Sequence, residues 1–307
     1  MLRVSYCDRS SASEPWIAGL RAHLPGVTVE NWTEGDAPAD YAVAWAPPQD
    51  FIDQQTRLRA LFNVGAGVDK LLRLRLPQGL RVIRLDDAGM GVQMAEYVCH
   101  AVSRHFREFA AYEAQARQGL WTQRAARPRS AFPVGVLGLG VLGQQVAAAL
   151  RHFEFPVLGW SRNARQVDGI RCFAGQAQLA EFLAQCQALV CLLPLTPDTQ
   201  GILGRSNLGL LPVGAYVVNV ARGEHLVDED LLALLDGGHL GGATLDVFRV
   251  EPLPADHAFW RHPRIRVTPH TSAQTLRAES IVQIAGKIMA LERGESVAGM
   301  VDLLRGY

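Results

Sequence analysis

Gly138, Gly140 and Gly143 stand as G-x-G-x-x-G within GVLGLGVLGQQVAAAL, directly after a four-residue apolar run and directly before an alanine-rich stretch of helical character. A glycine-rich turn alone is common, but one set between a strand and a helix leaves few folds open. The first glycine permits the tight turn, the second lets backbone approach a pyrophosphate, and the third packs helix on strand. The helix N-terminus then attracts the negative charge. Gly138, Gly140, Val141, Leu142 and Gly143 are therefore expected to form the turn of a dinucleotide-binding βαβ unit.

What surrounds this unit decides the rest of the fold. After it, VLGWS, ALVCLL, AYVVNV, GATLDVF and IRVT read as further strands, with helical patterns at 142–153, 178–185 and 228–235. Before it, LRVSYC, VTVENW, YAVAW, LRALFNV and LRVIRL form an earlier strand series, and polar turn residues follow the first strand at Arg9 and Ser10. Between the two series, Ala95, Val98, Val102, Phe106 and Phe109 recur three or four apart, which predicts one long amphipathic helix over 93–118. A polar stretch from Thr122 to Pro133 follows it. A last helix is expected over 278–292, followed by a short terminal segment. With 307 residues, the chain exceeds what one core usually serves. The expected fold class is α/β with two doubly wound parallel-sheet lobes and a cleft between them: a flavodoxin-like substrate domain, residues 1–92 plus 275–307, and a Rossmann dinucleotide-binding domain, residues 93–274.

Charge and composition narrow the partners. Lys plus Arg and Asp plus Glu both number 30, so no basic field exists to hold nucleic acid or anionic lipid. Hydrophobic residues at 49% and charged residues at 20% belong to a globular chain. The apolar runs have strand length, which predicts no membrane span, and the N-terminus lacks the pattern of a secretory signal. Cys7, Cys99, Cys172, Cys186 and Cys191 show neither C-x-x-C nor Cys/His zinc spacing, so no metal is expected. Reduced, buried thiols in a cytoplasmic protein with a small-molecule substrate are the expectation.

An NAD-specific site normally carries an acidic side chain about 20 residues beyond the glycines, where it binds the ribose hydroxyls. Here the second strand ends Gly159-Trp160-Ser161-Arg162, and no Asp or Glu lies between Leu158 and Gln166. Ser161 and Arg162, with Arg165 close by, offer a hydroxyl and guanidinium groups suited to a 2′-phosphate. NADPH is the expected cofactor, with NADH a weaker alternative; solvated loop arginines are the plainer reading of the same residues.

Ligands bind such sheets at the carboxyl ends of the strands. There the chain places VNVARG with Arg222, LDVFRVEP with Asp246 and Glu251, and VTPHTSA with His270. Taken singly, Arg222 could flank a helix, Glu251-Pro252 could be an exposed turn, and His270 could pack at a domain seam.

Together with GLGVLG, LPLTPDTQGIL, VNVARG, DVF…EPL and TPH, the chain resembles the D-isomer-specific 2-hydroxyacid dehydrogenases over nearly its whole length. AWAPP around Trp45, NVGAGVD at 63–69, DAGMGVQMAEY at 87–97, WSR and the terminal RGY are similar to its glyoxylate/hydroxypyruvate reductase A branch. The resemblance implies that His270 gives a proton to the substrate carbonyl oxygen and that Glu251 orients the imidazole and favours its charged form. It further implies that Arg222 grips the substrate carboxylate and carbonyl oxygen, and that the turn Gly65-Ala66-Gly67 holds the carboxylate on backbone N–H groups. By the same resemblance Leu193, Pro194 and Val220 border the cofactor and Asp246 faces its carboxamide. Trp45 and Met90, which would otherwise read as packing residues, narrow the pocket to two- or three-carbon acids. Thr271 and Ser272 depart from the family pattern, where an apolar residue and glycine are common after the histidine.

The activity so implied is NADPH-dependent reduction of glyoxylate and hydroxypyruvate to glycolate and D-glycerate. The alternatives are another D-2-hydroxyacid dehydrogenase with a different 2-oxo acid, and a dinucleotide-sensing protein of the corepressor type, which would bind NADPH without turning it over. Formate dehydrogenases of this scaffold carry an amide where this chain has Glu251. The long helix and the basic stretch around Trp121 to Arg129 resemble the arm through which such dehydrogenases form homodimers.

Overall fold

A computed structural model describes residues 2–8 and 13–307, which fall into two compact units. One runs up to Met90 and resumes over Thr275–Tyr307, and the other spans Gly91–Gln274. The polar turn expected at Arg9 and Ser10 lies outside the described residues.

The first unit contains β1 (Arg3–Asp8), α1 (Glu14–His23), β2 (Thr28–Asn31), β3 (Tyr41–Trp45), α2 (Gln49–Gln54), β4 (Ala60–Asn63) and β5 (Arg81–Arg84). All strand pairs are parallel, in the order β2-β1-β3-β4-β5, which is the flavodoxin-like arrangement. The run Tyr41 to Ala44 and all of β4 are buried, as expected of central parallel strands covered on both faces.

The second unit begins with α3 (Met90–Phe106) and α4 (Phe109–Arg117) and continues through β6 (Val134–Leu137), α5 (Val141–His152), β7 (Val157–Ser161) and β8 (Arg171–Ala174). It then adds α6 (Leu179–Leu183), β9 (Ala188–Cys191), α7 (Arg205–Leu208), β10 (Ala215–Asn219), α8 (Asp228–Asp236), β11 (Leu240–Leu245) and β12 (Ile265–Val267). These seven strands form one parallel sheet in the order β12-β11-β10-β9-β6-β7-β8. Strand order reverses between β6 and β9, so the glycine turn that follows β6 opens at the topological switch point. The last helix, α9 (Arg277–Glu292), returns to the first unit and lies so close to α1 that a Cβ on Gly19 would meet Ile281 Cδ1 at 2.5 Å.

The short helix α7 was not read from the sequence, and two further elements differ more widely from that reading. The single helix expected over 93–118 is broken after Phe106, because Glu108 adopts a left-handed φ of 54°. There its carboxylate binds both Arg124 Nη2 at 2.8 Å and Arg127 Nη2 at 2.7 Å, which ties the polar stretch back to the break. Phe109, expected on the apolar face, is consequently 42% exposed, and α4 buries no residue. Strand β8 was not legible from periodicity: RCFA is a short edge segment whose Arg171 points to solvent and pairs with Glu181.

Candidate active site

Three loops leave the carboxyl ends of β10, β11 and β12, and buried polar groups shape each of them. After β10, the side chain of Asn219, fully buried, donates through Nδ2 to Arg222 O at 2.9 Å and accepts from Ala221 N at 3.2 Å. This closes the turn that presents Arg222, whose Nη1 donates to Ala221 O at 2.6 Å. Gly223 follows because the loop after β11 presses on it; a Cβ there would sit 1.9 Å from the Phe248 carbonyl carbon.

After β11 comes Asp246, also fully buried, and then a turn in which Phe248 N donates to Glu251 Oε1 at 3.0 Å. The other carboxylate oxygen of Glu251 lies 2.9 Å from His270 Nδ1, which comes from the loop after β12. Since a carboxylate accepts, Nδ1 carries the donated hydrogen, and Nε2 is left as the nitrogen that exchanges a proton elsewhere. Both side chains keep solvent contact, at 43% exposure for His270 and 34% for Glu251. His270 itself has a left-handed φ of 53°, a conformation that costs a non-glycine residue roughly 1–2 kcal/mol and needs support from its surroundings. Its N–H donates to Asp246 O at 2.9 Å, and the next two amides, Thr271 and Ser272, each donate to the Asp246 carboxylate at 2.8 Å. The departure TS in TPHTSAQT thus forms the rear of this turn.

The cofactor residues read from the sequence all lie in the same unit. Gly138 has a φ of 105°, and a Cβ on it would meet Leu192 O at 2.8 Å. Gly143 lets α5 close on the turn, since a Cβ there would come within 1.8 Å of Gly138 O. Gly140, by contrast, faces open space and caps α5 without a side-chain bond, so the backbone N–H groups at Val141, Leu142 and Gly143 begin a helix that no side chain caps. Ser161, at the end of β7, donates to Asn163 O at 2.8 Å, and Arg162 Nη1 lies 3.6 Å from the exposed Asp198 carboxylate. Val220 and Leu193 are buried at the ends of β10 and β9.

His225 is a site residue that sequence reasoning missed. Fully buried, it places Nε2 3.3 Å from Pro194 O, and its Nδ1 accepts from Arg222 N at 3.2 Å. Burial holds its pKa below the usual imidazole value, so the neutral ring bridges the Pro194 turn and the Arg222 loop. The only sequence signal was a histidine three residues after the arginine of ARGEH.

In the first unit, the Trp45 ring lies over the glycine turn, and a Cβ on Gly65 would meet Trp45 Cζ3 at 2.7 Å. Asn63 Nδ2 donates to Gly65 O at 3.2 Å and to Gly67 O at 2.9 Å, drawing both carbonyls to the buried side of the turn. Asn63 was quoted in the sequence only as part of a motif, and here it shapes the turn. Met90 is buried at the start of α3.

Among the described residues no group of His, Cys, Asp or Glu side chains could hold a metal ion, and no helix is long and apolar enough to cross a membrane. All five cysteines are free; burial raises the Cys99 thiol to about 11 and the Cys191 thiol to about 12, which leaves neither as a nucleophile.

Residues 99–272 match the family model for the NAD binding domain of D-isomer specific 2-hydroxyacid dehydrogenases. A glyoxylate/hydroxypyruvate reductase A from Serratia proteamaculans is 47% identical over 302 residues, 96% of each chain. Among solved structures, a D-isomer specific 2-hydroxyacid dehydrogenase from Xanthobacter autotrophicus Py2, in complex with NADPH and MES, superimposes with a TM-score of 0.94 at 37% identity over 99% of both chains. An NADPH-dependent glyoxylate/hydroxypyruvate reductase from Sinorhizobium meliloti, in complex with NADP and sulfate, gives the same TM-score at 34% identity over the whole of both chains. Two parallel α/β sheets, the glycine turn at the switch point and near full-length similarity to these enzymes lead to one conclusion: the chain belongs to the D-isomer specific 2-hydroxyacid dehydrogenase family.

Proposed function

We propose that the protein is a reductase that uses NADPH to convert glyoxylate and hydroxypyruvate to glycolate and D-glycerate. The observation that carries this reading is the His270–Glu251 pair, 2.9 Å apart at the carboxyl ends of the β11 and β12 strands, in a chain 47% identical to a reductase of that name. Reduction of a 2-oxo acid adds a hydride to the carbonyl carbon and a proton to its oxygen, and a bound nicotinamide supplies the hydride. His270 delivers the proton from Nε2 while Glu251 accepts the Nδ1 hydrogen, which fixes the ring and stabilises the imidazolium before transfer. Arg222, always cationic, binds the substrate carboxylate and stabilises the charge that develops on the carbonyl oxygen. Gly65, Ala66 and Gly67 offer backbone N–H groups to the carboxylate, while Trp45 and Met90 limit the length of the acid.

The open space at Gly140 and the uncapped start of α5 fit a pyrophosphate, whose approach a side chain at that position would block. Gly138, Val141, Leu142 and Gly143 complete this turn; Leu193, Pro194 and Val220 would border the nicotinamide end of a bound cofactor, and Asp246 would lie on the side of its carboxamide. Ser161 and Arg162 would hold the 2′-phosphate, a preference supported by the NADPH and NADP bound to the Xanthobacter and Sinorhizobium proteins. The second unit, Gly91–Gln274, acts as the dinucleotide-binding domain, and the first, which runs up to Met90 and resumes over Thr275–Tyr307, as the substrate domain. A homodimer accounts for α4, which buries nothing, and for Trp121, which is 98% exposed beside Leu120. Cytoplasmic location accords with free cysteines.

Initial rates of NADPH and NADH oxidation with glyoxylate, hydroxypyruvate, pyruvate and phenylpyruvate test the reading. Fast NADPH oxidation with the first two is expected. Faster turnover of phenylpyruvate than of hydroxypyruvate overturns the substrate assignment, and NADPH binding without turnover of any 2-oxo acid overturns the reductase.

A further inference from the structure

We infer that Tyr97, on α3, is a positioning residue that holds the His270 turn through Thr268 and Asp246. Tyr97 is 171 residues from Thr268 in sequence, yet its hydroxyl lies 2.5 Å from Thr268 Oγ1. Thr268 Oγ1 in turn donates to Asp246 Oδ1 at 2.6 Å. A threonine hydroxyl has one hydrogen, and Asp246 Oδ1, which already accepts from Thr271 N, takes it. The proton order is therefore set: Tyr97 donates to Thr268, and Thr268 donates to the carboxylate. Burial supports this order, because it raises the Tyr97 pKa to about 12 and keeps the phenol protonated at neutral pH.

The network acts on the geometry of the catalytic histidine rather than on the substrate. Asp246 is fully buried, and it binds the turn on both sides of His270: Thr268 before it, the His270 amide on its own carbonyl, and Thr271 and Ser272 after it. These bonds flank the left-handed residue whose ring meets Glu251. Removing the Tyr97 hydroxyl leaves the partly buried Thr268 Oγ1 without this donor, and it half-satisfies a network anchored on the fully buried Asp246, which is costly. The turn loosens, and the imidazole spends less time where proton transfer succeeds.

The inference rests on His270 as the proton donor of the proposed function, so its test uses both turnover and a measurement that needs none. Tyr97→Phe should lower kcat for hydroxypyruvate reduction about tenfold while KM and the NADPH Kd stay within about twofold, since a misplaced catalytic group costs turnover rather than binding. Thr268→Ser, which keeps the hydroxyl, should retain kcat near wild type, and Thr268→Val should lose at least as much as Tyr97→Phe. Amide hydrogen exchange of the segment spanning Thr271 and Ser272 should accelerate in Tyr97→Phe and Thr268→Val, but not in Thr268→Ser. A wild-type kcat in Tyr97→Phe, a loss confined to KM, or equal losses in the two Thr268 variants each overturn the inference. If Thr268→Val fails to fold, Tyr97→Phe, which deletes a single oxygen, decides. If the wild type reduces no 2-oxo acid, the proposed function fails, and exchange alone judges the network: unchanged exchange in Tyr97→Phe overturns it, and accelerated exchange upholds it.

Discussion

The two ends of the seven-stranded sheet treat histidine in opposite ways. At the carboxyl end, His270 is partly exposed in a strained loop and faces a carboxylate at 2.9 Å. At the amino end, His105 stacks on the Tyr216 ring, with centroids 4.3 Å apart, and its Nε2 is buried without a hydrogen-bond partner. Burial, with the nearby Arg127 charge, pushes its pKa down to about 4. Gly241 is required there, because a Cβ would meet Gly214 O at 2.5 Å and His105 Cε1 at 3.1 Å. One end thus leaves a ring open to solvent and paired with a carboxylate, and the other uses a ring of the same type as filling. The lesson is that residue identity specifies a titratable group, but only its position along the strands decides whether it works or packs.

The sharpest way to break this contrast is to remove His270. His270→Ala should depress kcat for reduction by roughly 10²- to 10⁴-fold with the NADPH Kd unchanged, in steady-state rates and fluorescence titration. A variant within a few-fold of wild type would mean that the carboxyl end has no dedicated acid.

His105 supplies the opposite test, in stability. Its folded pKa lies below the usual value of about 6.5, so the unfolded chain binds the extra proton first as pH falls. The stability of the neutral ring is full above about pH 6.5 and declines as pH falls from there to about 4, by about 3 kcal/mol in total. Urea unfolding at about pH 7 and about pH 5 should show a drop that is about 2 kcal/mol smaller in His105→Phe than in wild type. His225, also depressed by burial, acts in the same direction and remains in that variant. Equal drops in both proteins would remove His105 from this account.

Arg162 asks how far the carboxyl-end chemistry extends along the sheet. Losing its charge-assisted contacts costs about 1.5–3 kcal/mol, so Arg162→Ala should lower the NADPH to NADH ratio of kcat/KM by roughly ten- to a hundredfold. An unchanged ratio would assign Arg162 to its surface pair with Asp198 instead. Glu251→Gln is the smallest change. The amide can still accept from the imidazole but carries no charge, so reduction should slow by roughly five- to tenfold at unaltered NADPH Kd. A kcat equal to wild type would reduce Glu251 to a steric support.

Much of this molecule was legible from local pattern. Ten of its strands were read as five apolar runs before the glycine turn and five after it, and the turn's own run supplies another. Apolar runs of strand length and glycines at φ such as the 105° of Gly138 reflect constraints that act within a few residues. Arg222, Glu251 and His270 were readable because each follows an apolar run, and family resemblance supplied their roles. The break at Glu108 was not readable, since helical spacing continues through it and the cause lies in Arg124 and Arg127 further along the chain. Neither was β8, whose short edge sequence carries no alternation of its own.

Tertiary structure alone decided which polar side chains support the site. Asn219, His225 and Asp246 are ordinary residues of strands and turns until folding buries them, and Thr268 and Tyr97 until folding buries them in part. Withdrawn from water wholly or in part, each finds a partner, and some of those partners are distant in sequence: Tyr97 finds Thr268 across 171 residues, and His225 finds Pro194 across 31. Periodicity records which face of an element is buried, because that is a property of neighbouring residues. It holds no record of which hydroxyl, amide or imidazole will meet another in the core, because that depends on how distant segments pack.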